Sequence, residues 1–228
     1  MTKLTQLNRG EILRYLGWKG SQIPPSLEET LQRCMQEALE AAAPAFFFLR
    51  SPVRHTPQGE LLERFPLLLP GKDIAAHLAH SQEAFLLCAT IGLPIERLIR
   101  TRLLTAPEEG VILDACATQA IEQTADLAEA EVEALCRAEG HGITWRYSPG
   151  YGDLPLAVQG DLIRLTDAPR KIGLSVNDSL LMTPGKSVTA ILGVTPLPQG
   201  SAQKERSDKC SRCPNREQCA FRKRGITC

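Results

Sequence analysis

The segment Arg146-Tyr147-Ser148-Pro149-Gly150-Tyr151-Gly152-Asp153-Leu154-Pro155 places a permanent cation, a hydroxyl, a Pro-Gly pair and aromatic rings side by side. Pro-Gly specifies a tight turn, because proline presets φ and glycine accepts a positive φ. The Arg146 guanidinium has the fork geometry for a bidentate grip on a carboxylate. The Tyr151 ring can lie against a flat or cationic group. Together they suit a zwitterion that carries a carboxylate, a positive centre and a planar base. The same residues also describe a rigid surface turn in which Arg146 pairs with a neighbouring acid.

A second group of chemistry-bearing residues closes the chain. Cys210, Cys213, Cys219 and Cys228 hold four of the eight cysteines. Cys-x-x-Cys is the spacing at which one turn presents two thiolates to one metal. Lys209, Arg212, Arg216, Arg222, Lys223 and Arg224 flank them and would lower the thiol pKa values. Phe221 and Ile226 cannot make a core alone, so a metal would supply the folding energy. An S4 set admits zinc or an iron–sulfur centre; a disordered tail with exposed thiols is the alternative. Cys34, Cys88, Cys116 and Cys136 sit in apolar stretches and read as small core residues. His77 and His80 lie three apart on one expected helix and, with no third ligand nearby, read as a solvated face. Gly71-Lys72-Asp73 lacks a glycine-rich phosphate cradle.

The elements that must position these residues are punctuated by caps and breakers. Asn8-Arg9-Gly10-Glu11 forms a capping box for a short helix to Leu16, stopped by Gly17. Ser26-Leu27-Glu28-Glu29 is a second box, opening a helix to about Ala43. Residues 46–49 and 84–91 read as strands, the latter buried; Pro66 limits residues 61–69 to an edge. Helices are expected over residues 71–80, 96–104 and 158–165, and a long one over 107–138 capped by Thr105-Ala106-Pro107-Glu108. Residues 143–147 form a strand that delivers Arg146 to its turn, and residues 180–182 and 187–194 are strands joined by Thr183-Pro184-Gly185. This order predicts an α+β (mixed α/β) fold, with long helices on a modest, mainly antiparallel twisted sheet. The boundaries are a body over 1–199, a polar linker over 200–209 and a metal-binding tail over 210–228.

The 228 residues carry 26 Lys+Arg and 26 Asp+Glu, which gives no reason to expect nucleic acid or an anionic membrane as partner. The body is mildly acidic and the last 28 residues basic, with 8 cations against 3 acids. The apolar runs are too short to span a bilayer, and Met1-Thr2-Lys3 is not followed by an apolar segment. A cytoplasmic protein with reduced thiols is the expectation.

The order Arg146-x-Ser148-Pro149-Gly150-Tyr151, then Ile172-Gly173-Leu174, then Met182-x-Pro184-x-x-Ser187-Val188 resembles the reactivation (activation) domain of cobalamin-dependent methionine synthase. More closely it is similar to the free-standing short form of that domain, and the resemblance covers roughly residues 8–195. It implies S-adenosylmethionine as ligand. Arg146 would hold the methionine carboxylate, backbone groups of Ser148 and Gly150 would touch the ligand, and Tyr151 would flank it. Glu129, in Leu127-Ala128-Glu129-Ala130, matches a ligand-contacting glutamate, although Glu122, Asp126, Glu129 and Glu133 also look like an ordinary solvated stripe. Three departures stand out: the Gly152-Asp153-Leu154-Pro155 segment, the loss of an aromatic after Ser187-Val188, and an aspartate with no counterpart near the start.

The implied function is a reactivation subunit, associated with methyltransferase activity, that supports reductive methylation of cob(II)alamin. Its partner would be a cobalamin-dependent methionine synthase lacking its own activation domain, or another corrinoid protein. The electron donor would be a flavodoxin or ferredoxin. The protein's part is binding and orientation, with no general acid or base. The need for low-potential electrons favours an iron–sulfur cluster over zinc in the tail. A metal-cluster adaptor for another corrinoid methyltransferase system and a non-catalytic S-adenosylmethionine-binding regulatory module are the alternatives.

Overall fold

Residues Glu83–Thr90 form the strand at the centre of the molecule, buried from Ala84 onward. Its apolar run lacks a polar face because both faces are covered: Phe85, Leu87 and Ala89 point to one core, Ala84 and Leu86 to another. In the computed structural model, which describes residues 3–18 and 22–197, this strand is β4. The order preceding it is α1 (Arg9–Tyr15), α2 (Pro25–Ala41), β1 (Ala45–Thr56), β2 (Gly59–Leu62), β3 (Leu67–Leu69) and α3 (Lys72–Leu78). After it come α4 (Leu93–Thr105), α5 (Pro107–Ala138), β5 (His141–Ile143), α6 (Val158–Leu165), α7 (Ala168–Ile172), β6 (Ser175–Val176), β7 (Met182–Thr183) and β8 (Ser187–Pro196).

The main sheet runs β3-β2-β1-β4-β8-β5, and every pairing in it is antiparallel. Helices α1, α2, α4 and α5 cover one face, where Ile12, Leu31, Ile95 and Leu113 are fully enclosed. Helices α3 and α6 cover the other, around Ile74, Leu78 and Leu162, and Leu62 and Leu69 from the β2–β3 end of the sheet pack into the same core. A small satellite of Cys88, Ile163, Ala168 and Leu174 extends it towards α7. Each fully buried Leu or Ile contributes about 1.5–3 kcal/mol relative to exposure. The fold is α+β, as the pattern of elements predicts.

Local expectations met different fates. Asn8 caps α1, its side chain accepting from the Glu11 amide, and Gly17 ends the turn at φ 74. The box at Ser26 does not form: α2 starts one residue earlier at Pro25, whose fixed φ and missing N–H suit the first helical position. Thr105 does not cap α5, because it is the last residue of α4 and its hydroxyl is bonded to the Thr101 carbonyl. The strand at 46–49 is the start of a twelve-residue strand that continues through Pro52. Of the strand expected over 180–182 only Met182 belongs to one, β7, which pairs with β6 in a separate two-stranded sheet, while the strand expected over 187–194 is β8, paired with β4 and β5. The four cysteines of the body are buried thiols; burial pushes Cys34 and Cys88 up to about 11 and Cys116 to about 12.

The linker at 200–209 and the proposed ligands Cys210, Cys213, Cys219 and Cys228 lie outside the described residues. No described helix is long and apolar enough to cross a membrane.

Candidate functional site

Edge strand β5 pairs with β8 in the register His141↔Pro196, Gly142↔Thr195, Ile143↔Val194. A regular ladder would carry this on to Arg146↔Ile191. The observed bridge is Tyr147↔Ile191, closed by main-chain hydrogen bonds of 2.9 and 2.8 Å in the two directions. Thr144, Trp145 and Arg146 therefore lie opposite only Leu192 and Gly193, a one-residue β-bulge. The expected strand over 143–147 is broken at this point.

The extra residue reverses which way the following side chains point. Ile143 packs into the core beneath α5, whereas Tyr147, four residues on, packs into the core of α3 and α6. In an unbroken strand the two would share a face. Arg146 is brought to the α5 side. Its Nη1 lies 2.9 Å from Asp126 and 3.2 Å from Glu129, and its Nη2 is 3.3 Å from Glu122.

These carboxylates differ in their freedom. The side chains of Arg146 and Glu129 are 15% and 14% exposed, those of Glu122 and Asp126 44% and 68%. Arg146–Glu129 is the enclosed pair, and the other two acids reach it from solvent. Three carboxylates face one guanidinium, an excess of two negative charges. Even so, Arg146 Nη1 is buried without an aligned hydrogen bond. A group with better geometry than the helix carboxylates would satisfy that donor.

The turn beyond the bulge is closed by Tyr151 N donating to Ser148 O at 3.1 Å, with Gly150 at φ 89. A positive φ at the third turn position after Pro149 defines a type II turn, which glycine adopts without strain. The Gly150 amide donates to Leu154 O at 2.9 Å. The Ser148 N–H and the Gly150 carbonyl remain without a main-chain partner among the described residues. Tyr151 is exposed and its ring lies 6.4 Å from that of Tyr147, on the α3 side. The structure thus brings Arg146 and Glu129 into contact and supports Ser148 and Gly150 in one turn, while Tyr151 leans on Tyr147 rather than on that pair.

Asp153 anchors the far end of the turn. Its carboxylate accepts from the Lys72 and Asp73 amides at 2.6 and 3.1 Å, the free N–H groups at the start of α3. Those two bonds hold its pKa below the usual value.

His77 is not on a solvated face, as its spacing from His80 suggests, but 8% exposed under the bulge. Its ring centroid is 4.5 Å from that of Trp145 and 4.9 Å from that of Tyr147. Nε2 is 2.8 Å from Thr144 Oγ1, which also accepts from the Gly193 amide at 2.8 Å and lies 3.3 Å from Trp145 O. A proton on Nε2 satisfies the whole set: Nε2–H donates to Oγ1, and the hydroxyl donates to Trp145 O. Nδ1 has no partner. Burial, against a smaller opposing effect of the Trp145 main chain, lowers the pKa of His77 to about 4. Sequence spacing alone could not find this role; Thr144 immediately before Trp145 and Arg146 was the available cue. Among the described residues no group of three or more His, Cys, Asp or Glu side chains is arranged to hold a metal.

No family model matches the sequence, and no curated protein matches it. Among solved structures, the chain is similar to the crystal structure of the MetH reactivation domain bound to AdoHcy. The two share 14% sequence identity over 97% of this chain and 82% of that one, with a TM-score of 0.63. This likeness establishes that the chain has the fold of that domain.

Proposed function

We propose that this protein binds S-adenosylmethionine at the β5–β8 bulge and serves as a reactivation subunit for a cobalamin-dependent methionine synthase that lacks its own activation domain. The observation that carries the reading is the enclosed Arg146–Glu129 pair faced by two further, more exposed carboxylates, on a fold shared with a domain seen with AdoHcy.

The charges fit a zwitterion. A ligand carboxylate can displace the exposed Glu122 and Asp126 and take the Arg146 fork. The ligand's ammonium or sulfonium then lies near Glu129 and the displaced acids, where the excess negative charge favours a cation. The Gly150 carbonyl and Ser148 N–H offer one acceptor and one donor from a braced turn, and Tyr151 offers an exposed ring.

In the proposed reaction, one electron from a flavodoxin- or ferredoxin-type donor and the methyl group of S-adenosylmethionine convert the partner's cob(II)alamin to methylcobalamin, releasing S-adenosylhomocysteine. The chain's own residues bind and orient the methyl donor, and no proton transfer is required of them. Cys210, Cys213, Cys219 and Cys228 are proposed to bind an iron–sulfur cluster or zinc.

Isothermal titration with S-adenosylmethionine tests the reading. Micromolar binding by the wild-type protein, weakened at least tenfold in Arg146→Ala, is expected; equal affinities would remove Arg146 from the site. Methylation of cob(II)alamin on a corrinoid partner, dependent on this protein and a reductant, separates reactivation from simple binding.

A further inference from the structure

The direction of Arg146 depends on a residue far from it in sequence. Because the bulge interrupts the ladder, the Gly193 amide finds its acceptor in the Thr144 hydroxyl instead of a strand carbonyl. That hydroxyl is held by His77 Nε2 from below. The imidazole in turn is wedged between the rings of Trp145 and Tyr147, the residues on either side of Arg146.

We propose that His77 is a positioning residue for the ligand site: through Thr144 it locks the β5–β8 bulge and so turns Arg146 onto the α5 side, where Glu129 waits. Without this clamp the Gly193 amide loses its bond and the strand gains by slipping one residue into the regular register. The slip would send Arg146 to the α3 side and leave Glu129 without its partner. A buried imidazole with one unsatisfied nitrogen carries a desolvation cost, and the fixed bulge is what it secures in return. The functional arm rests on the reading of this bulge as an S-adenosylmethionine site; the register arm does not.

The test compares His77→Leu, His77→Gln and Thr144→Val with the wild type in the full chain, each first shown to be folded by circular dichroism and thermal melting. Amide hydrogen exchange followed by NMR reads the register. We expect the Tyr147 amide to exchange at least tenfold faster and the Arg146 amide to become protected in His77→Leu and Thr144→Val, because in the regular register Arg146 takes the place of Tyr147 opposite Ile191, with the amides between β4 and β8 unchanged. In His77→Gln, whose Nε2 can still donate to Thr144, protection is expected to stay close to wild type. A Tyr147 amide protected as in the wild type and an unprotected Arg146 amide in both the Leu and Val variants overturn the proposal, whether or not the protein binds the ligand. Titration with S-adenosylmethionine reads the consequence: His77→Leu loses affinity about tenfold or more, His77→Gln keeps it, and His77→Leu adds no loss in an Arg146→Ala background. A full additional loss in that background shows that His77 does not act through Arg146 and also overturns the proposal. A wild-type protein that binds no S-adenosylmethionine refutes the ligand reading alone and leaves the exchange result to decide the role of His77.

Discussion

The Asp153 carboxylate accepts the Lys72 amide hydrogen at 2.6 Å across 81 residues of sequence. With the second bond from Asp73, it supplies the cap that Gly71 cannot, and it ties the Arg146 turn to the start of α3. Asp153→Ala is expected to lower the melting temperature by a few degrees and to weaken ligand binding by loosening the turn. The folded pKa is depressed, so the contribution is present above the unfolded value and lost as pH falls through the folded one. Wild-type stability should therefore decline below about pH 4 more steeply than that of Asp153→Ala; parallel melting curves against pH would exclude this.

Gly152 is held at φ 51, with a Cβ position 2.5 Å from Tyr147 Oη and also against the Asp73 carboxylate. Gly152→Ala combines an unfavourable left-handed backbone with an overpacked contact. It should cost about 1–3 kcal/mol of stability in chemical denaturation. A neutral outcome would mean that the turn moves freely to admit a methyl group.

At the candidate site the four charged residues should not be equivalent. Arg146→Ala removes a charge-assisted grip of about 1.5–3 kcal/mol, at least tenfold in S-adenosylmethionine affinity. Glu129→Gln, at an enclosed side chain, should also weaken binding severalfold. Asp126→Asn, at a side chain 68% exposed, should change it by less than about twofold. Titration of the three variants decides whether enclosure sets the ranking.

His77 gives the body its own acid response. Its pKa is lowered to about 4 by burial, so between the unfolded value of about 6.5 and the folded one only the unfolded chain takes up the proton. Stability should fall as pH drops from about 6.5 to about 4, by up to about 3 kcal/mol, and level off below. His77→Gln should flatten this limb of the curve while leaving the one below pH 4.

The proposed tail chemistry separates cleanly from the body. Cys213→Ser should abolish bound iron or zinc in elemental analysis of anaerobically purified protein, and S-adenosylmethionine binding should survive. Equal metal content in the variant and wild type would remove Cys213 from the ligand set.

Much of the architecture was readable because it rests on local chemistry. Gly17, Pro107 and the apolar run of β4 mark their elements wherever the chain goes, and α5 and α6 occupy the spans their patterns predict. Where two local signals competed, the tertiary arrangement chose: Pro25 displaced Ser26 as the start of α2, and α4 claimed Thr105 before it could cap α5. The pairing of β7 with β6 was not legible, since two short strands beside a proline turn look alike whether they form a hairpin or diverge.

The same division runs through the site. The sequence by itself determined that Arg146 precedes a Pro-Gly turn, that the turn needs a positive φ at Gly150, and that α5 carries a line of acids, because each is a property of residue type and spacing. Only the tertiary structure decided that Arg146 meets Glu129 and that Tyr151 lies with Tyr147 on the far side of the sheet edge. The physical reason is the bulge: strand side chains alternate with a period of two, so one inserted residue exchanges the faces of everything after it. That insertion is defined by Ile191, Leu192 and Gly193 across the ladder, residues more than forty positions away.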